Sequence, residues 1–171
     1  MDKVSWIKDL VKAEQQMEET GIVDMTVGFE PERVMVQDTI QFLLRLKTEF
    51  VDSATSFNDL KPSTLGRIKI YGIAKTHADF MLFRNGFKMI FSFKDVGKIA
   101  IKFNYVGGQM FPAAAGATAN QAEVTSAHEE HILEAKWGPF HEIQWTYQGQ
   151  PFKVAFMVRY FLTNFIKESA K

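Results

Sequence analysis

Histidines and their carboxylate neighbours are the residues best suited to chemistry in this 171-residue chain. The densest group is His128-Glu129-Glu130-His131. A zinc-binding protease helix needs histidines four apart, so that both fall on one face beside a glutamate. Here they are three apart, and the motif fails. In a strand, His128 and His131 would point to opposite faces. His131 and His141 would share a face on neighbouring strands, where Glu129 or Glu142 would complete an acid–base or metal-binding cluster. The plainer expectation is two partly buried histidines bonded to backbone or tyrosine. His77 and Asp79 form a second pair of the kind that orients a base. Ser126, Ser92 and Thr76 are the available hydroxyls, and none lies in a nucleophile elbow. These residues name no reaction, no metal and no cofactor.

The elements that must position them are easier to read. Ala78 to Lys94 (ADFMLFRNGFKMIFSFK) predicts a β-hairpin turning at Asn85-Gly86, because both residues tolerate positive φ. That turn pairs Arg84 with Phe87, Leu82 with Met89, Phe80 with Phe91 and Ala78 with Phe93, all on one apolar face. A one-residue slip would destroy the match. Arg67–Lys75 reads as a preceding strand with a bulge at Gly72, and Lys98–Val106 as a following one. The short connections make an antiparallel meander over 66–106. Two more strands lie within 123–148. A three-residue loop, Gly138 to Phe140, sets Trp137 opposite His141, Ala135 opposite Ile143, Leu133 opposite Trp145 and His131 opposite Tyr147. These place His131, His141, Trp145 and Tyr147 as pocket candidates.

Helices flank the strands. Val4 to about Glu19 carries apolar residues at three-four spacing, with Trp6 beside the stripe. A second helix starts at Pro31, a favoured first position, and runs to about Asn58 with a break expected between Asp52 and Ser56. The C-terminal helix spans 151–169 with Val154, Val158, Phe161 and Phe165 inward. The expected fold is therefore a single α+β domain over 1–171. An antiparallel sheet of about six strands packs against N-terminal helices within 1–60 and the C-terminal helix.

Composition narrows the function classes. There is no cysteine, which excludes disulfides, thiolate catalysis and cysteine metal sites and points to a cytoplasmic setting. No segment reads as a signal peptide or a membrane span. The zero net charge hides an asymmetry. Residues 1–60 hold 12 acidic and 6 basic residues, a net of −6, whereas residues 61–102 hold 2 acidic and 9 basic, a net of +7. Lys69, Lys88, Lys98 and Lys102 would line one sheet face, with aromatic residues interleaved as in single-strand nucleic-acid binders. No RNA-binding motif accompanies them, and nucleic acid is not the expected partner. Sixteen phenylalanines fit a solid core or an apolar pocket equally well.

Residues 107–122 are rich in glycine and alanine and read as a mobile loop. Within it Gly107, Gly108 and Gly116 could hinge, and Met110 and Phe111 could enter a groove as a ligand or partner loop. The leading expectation is a non-catalytic intracellular binding or adaptor module acting through protein–protein contacts, as a homodimer or with a protein partner. A protein binding a small apolar ligand, or an enzyme with a pocket between sheet and helices, is the alternative. Single-stranded nucleic-acid binding by the basic face is the third.

Overall fold

The computed structural model describes residues 3–23, 30–105 and 129–170. The residues 107–122 and the start of the 123–148 region, including Gly107, Gly108, Met110, Phe111 and Gly116, lie outside the described residues.

The elements run α1 (Lys3–Thr20), α2 (Pro31–Leu60), β1 (Lys69–Gly72), β2 (Phe80–Arg84), β3 (Phe87–Asp95), β4 (Lys98–Tyr105), β5 (Glu130–Trp137), a 3-10 turn (Pro139–His141), β6 (Ile143–Tyr147), β7 (Gln150–Pro151) and α3 (Val154–Ser169). The strands form one antiparallel sheet in sequence order. The α+β expectation holds, with seven strands where about six were expected. The added strand is Gln150–Pro151, joined to β6 by a Gln148-Gly149 turn with φ of 51° and 79°. Proline then ends the ladder, and α3 starts at Val154 rather than Pro151.

The central hairpin matches its sequence. Asn85 and Gly86 have φ of 49° and 77°, and Arg84, Leu82 and Phe80 pair with Phe87, Met89 and Phe91. Ala78 is buried but unpaired; the Asp79 carboxylate accepts the Phe93 N–H at 3.0 Å in its stead. β1 stops at Gly72 with no bulge there, and the sheet's irregularity falls between Phe93 and Asp95.

Odd and even positions divide the sheet. Phe80, Leu82, Phe87, Met89, Phe91, Ile99, Ile101 and Leu133 point inward and are buried. α2 covers them with Phe42, Leu43, Leu46, Phe50 and Ala54, and α3 with Met157, Val158, Phe161 and Phe165. Spacings of three and four give each helix one apolar stripe. α2 is unbroken over 30 residues, about 45 Å; Ala54, buried against the core, carries the stripe through the region where a break was expected. The phenylalanines pack on each other. Phe80 stacks on Phe91 at 4.6 Å between centroids, and Phe50 lies over both.

Three polar links fix the helices to the sheet. Buried Thr39 donates to Met35 O and accepts the Gly97 N–H at 2.9 Å, tying α2 to the β3–β4 turn. Asn58, near the end of α2, makes a two-way bond with the Ile68 backbone, at 2.9 and 2.8 Å. Arg84 is buried with no carboxylate partner among the described residues. Its guanidinium donates to Gly66 O at 2.7 Å, Ile166 O at 3.1 Å and Ser169 Oγ at 3.0 Å, and its carbon sits 5.4 Å from the Phe57 ring centroid. The C-terminal end of α3 carries the negative end of its dipole, which stabilises this cation. Replacing Arg84 leaves buried acceptors without donors. We expect Arg84→Met to cost roughly 2–4 kcal/mol in urea unfolding. Arg84→Lys should recover only part of that, because it lacks the guanidinium fork. An unchanged midpoint for Arg84→Met would refute this account.

Candidate functional site

A concave surface lies where α2 passes the β6 side of the sheet. A cleft of about 750 Å³ is bounded by Asp38, Phe42, Arg45 and Glu49 of α2, Ile143 and Trp145 of β6, and the Phe152–Ala155 entry to α3. A second cleft of about 810 Å³ shares Asp38, Gln41 and Ile143 with it and continues past Val34 to His77, His141 and Glu142. Trp145 is the hinge of the first. Its ring stacks on Phe42 at 4.5 Å and 10°, and its indole N–H donates to Asp38 Oδ2 at 2.8 Å. Phe152 completes the aromatic wall, 6.3 Å from Phe42.

The four pocket candidates divide between two places. Trp145 and His141 line the clefts. His131 and Tyr147 lie on the inner sheet face under α3, bonded Nδ1 to hydroxyl at 2.8 Å. Phe161 meets the His131 ring edge-on at 5.2 Å, and Phe103 lies 6.0 Å away. The His131 side chain is 10% exposed, and its Nε2 is 3.9 Å from the exposed Glu129 carboxylate. His131 is thus held as a packed, tyrosine-bonded histidine. His141 sits beyond the other end of β5, some six residues or about 20 Å along the strand. The two do not form a cluster.

The cause is a register difference. Trp137 pairs with Ile143, Ala135 with Trp145 and Leu133 with Tyr147, two residues from the expected alignment. The loop has five residues, not three. Its 3-10 turn holds Phe140 and His141 at φ of 56° and 62°. Both loop lengths are odd, so the inward and outward faces were assigned correctly while the partners were not. The turn carries His141 off the strand and leaves Phe140 fully exposed.

The other candidates are placed as follows. Asp79 is buried; its Oδ1 accepts from the Thr76 hydroxyl at 2.8 Å and from Phe93, and its Oδ2 has no partner among the described residues. The carboxylate locks the β1–β2 loop rather than orienting His77. Lys69, Lys88, Lys98 and Lys102 lie on the outer sheet face, as their parity requires. Lys102 stands opposite Glu130 and Lys98 opposite Glu134, so β5 sets carboxylates against half of the basic face. Glu130 also bonds Lys94 at 2.6 Å. That bond holds its carboxyl below the usual range, against the opposing effect of desolvation, and the Lys102 and Lys94 charges assist. Among the described residues, no three metal-ligating side chains converge, and no helix is long and apolar enough to cross a membrane.

Asp38, Gln41, Phe42, Arg45 and Glu49 escaped the sequence reading. Their spacing of three, four, seven and eleven from Asp38 sets them along one flank of α2. That flank is legible only as a polar border to the apolar stripe until β6 is known to face it.

The fold and cleft define an antiparallel sheet domain with helices on one face and an open groove at its β6 side. Compared with known proteins, the chain matches no family model, no curated protein and no solved structure.

Burial, then the nearby Tyr160 and Glu129, raise the Tyr147 phenol above its usual value of 10.0. Burial and the Glu168 carboxylate raise Tyr105 likewise. A raised folded pKa means the fold holds the proton more tightly, so this stabilisation is present below pH 10 and is lost as pH rises through the folded value. Tyrosinate absorbance should therefore include a late component above pH 10, reduced but not abolished by Tyr147→Phe. A variant that loses amplitude only near pH 10 and keeps the whole late component would show that Tyr147 titrates normally.

Proposed function

We propose that this protein is a non-catalytic intracellular binding module that takes an extended peptide segment of a partner along the α2–β6 groove. The carrying observation is the open backbone edge of β6. Gly138 N–H donates to Glu142 O at 2.7 Å, which makes that opposed pair a hydrogen-bonded one. Antiparallel pairs alternate, so Ile143, Trp145 and Tyr147 turn their backbone groups away from β5. Tyr147 meets Gln150 of β7. β7 ends at Pro151 and pairs only with Thr146 and Tyr147, so Ile143 and Trp145 have no ladder partner in β7. An exposed row of strand donors and acceptors is a template for an added strand. The adjoining Phe42–Trp145–Phe152 wall offers a place for an alternate apolar side chain of that strand. The absence of cysteine agrees with an intracellular setting. A small apolar ligand is less well supported, because the inward phenylalanines fill the core by stacking on one another.

Ile143→Pro tests this reading. Glu142 has φ −67° and ψ 141°, a conformation that accepts a following proline, and no β5 ladder bond is lost. A random peptide library panned against the wild-type protein should enrich sequences with an apolar residue flanked by extended segments. Ile143→Pro should weaken those peptides by about tenfold or more, and Trp145→Ala by a similar amount, while the far-ultraviolet circular dichroism of Ile143→Pro stays native. Peptides that bind both variants as well as the wild type, or no enrichment at all, would overturn it.

A further inference from the structure

The outer face of the sheet is a second surface, and we propose that its β1–β3 half binds single-stranded nucleic acid. Strand register fixes the arrangement. One row across the sheet reads Lys69, Phe83, Lys88, and the next reads Tyr71, Met81, Ile90. Neighbours in a row lie about 4.8 Å apart, and the two rows lie about 7 Å apart. Phe83 therefore stands between two ammonium groups. Tyr71, 44% exposed on the edge strand β1, lies on the diagonal from it. Met81, Phe83 and Ile90 are half-buried, on the face opposite the one that α2 and α3 cover.

Charge selects the partner. Toward β5 the lysines are answered: Lys102 faces Glu130, and Lys98 faces Glu134 and Asp95. Lys69 and Lys88 have no carboxylate beside them in either row, and they form no ion pair among the described residues. Exposed Arg67 leads into β1 and adds to the positive charge. The carboxylates of α2 belong to a helix packed on the inner face, so the sheet stands between them and these lysines. A partner for this surface must be anionic and must present flat apolar groups. Single-stranded nucleic acid has both, phosphates for the lysines and unpaired bases for the rings. An open sheet face with cations among aromatic rings is a platform for such strands. A duplex keeps the faces of its bases inside the stack, and an acidic peptide brings charge without a run of flat rings.

The test is fluorescence anisotropy of labelled oligothymidylate titrated with the full chain. Binding is expected at low salt, with the logarithm of the affinity falling linearly against that of the salt concentration. K69Q/K88Q should weaken it by about tenfold or more. The salt slope should fall by about 1.4, since each phosphate contact on a single strand accounts for about 0.7. Tyr71→Ala should weaken binding by about fivefold or more with the slope unchanged, because a stacked base releases no counterion. Removing two charges from the helices instead, in K47Q/K167Q, should leave affinity and slope as they are. Ile143→Pro, which blocks the groove, should leave them unchanged too, so this surface and the groove fail separately. Four results would each overturn the proposal. They are no binding at low salt, binding indifferent to K69Q/K88Q, a thymidine–adenine duplex bound as tightly as the single strand, and displacement of the probe as readily by polyglutamate of equal charge as by unlabelled oligothymidylate.

Discussion

A guanidinium that no carboxylate meets among the described residues is the constraint on which the distal end of this fold depends. Arg84 stands at the end of β2 on the buried face, where water is excluded. Its donors must be answered by protein oxygens, or the side chain would not remain inside. The answers come from the Gly66 loop and from the last turn of α3, with the Phe57 ring of α2 alongside. Asn85, next in sequence, adds a bond to Ser169 O at 2.8 Å. One hairpin turn thereby caps a helix more than eighty residues away. Hydrophobic packing supplies most of the attraction between the helices and the sheet, but it is non-directional. Arg84 and Asn85 set where along the sheet α3 must stop.

The opposite end uses a smaller version of the same device. Thr39 is wholly buried, and its hydroxyl bridges α2 to the Gly97 N–H. Gly97 has φ of 73°, and a Cβ there would approach Met35 Sδ at 3.3 Å. The residue is therefore constrained both by its backbone and by its neighbour. With α2 fixed at Thr39 and Asn58, its polar flank is held beside β6, and the groove is a by-product of that placement. Trp145 closes the inner wall because it can do two things at once, stacking on Phe42 and donating to Asp38.

Much of this was legible from residue types, and the misreadings have specific causes. The Asn85-Gly86 hairpin was readable because positive φ is concentrated in those two residues, so turn chemistry and apolar alternation agreed on one register. The β5–β6 connection was not, because Phe140 and His141 adopt left-handed backbone without being the residues that advertise it. Alternation kept the faces right and could not distinguish three loop residues from five. β7 was hidden because two residues, one of them proline, leave no periodicity. The core was legible in the inward phenylalanines, but whether they enclosed a pocket depends on ring-to-ring geometry. The candidate site was the least legible part. Asp38 and Trp145 are 107 positions apart, and nothing local in either marks the other.

The distance in sequence between Arg84 and its acceptors also governs how the protein is made. Strands β1 to β4 can pair as the ribosome delivers them, since each neighbour follows within a few residues. α2, by contrast, is synthesised before any strand and presents Leu43, Leu46 and Phe50 with nothing to cover them. The sheet gives α2 a partner midway through translation. α3, the last described element to emerge, brings the oxygens that Arg84 requires. Until then the nascent chain carries a half-covered sheet face and an unsatisfied cation. The interval between completion of β4 and arrival of α3 is when this chain depends most on shielding by the ribosome or a chaperone.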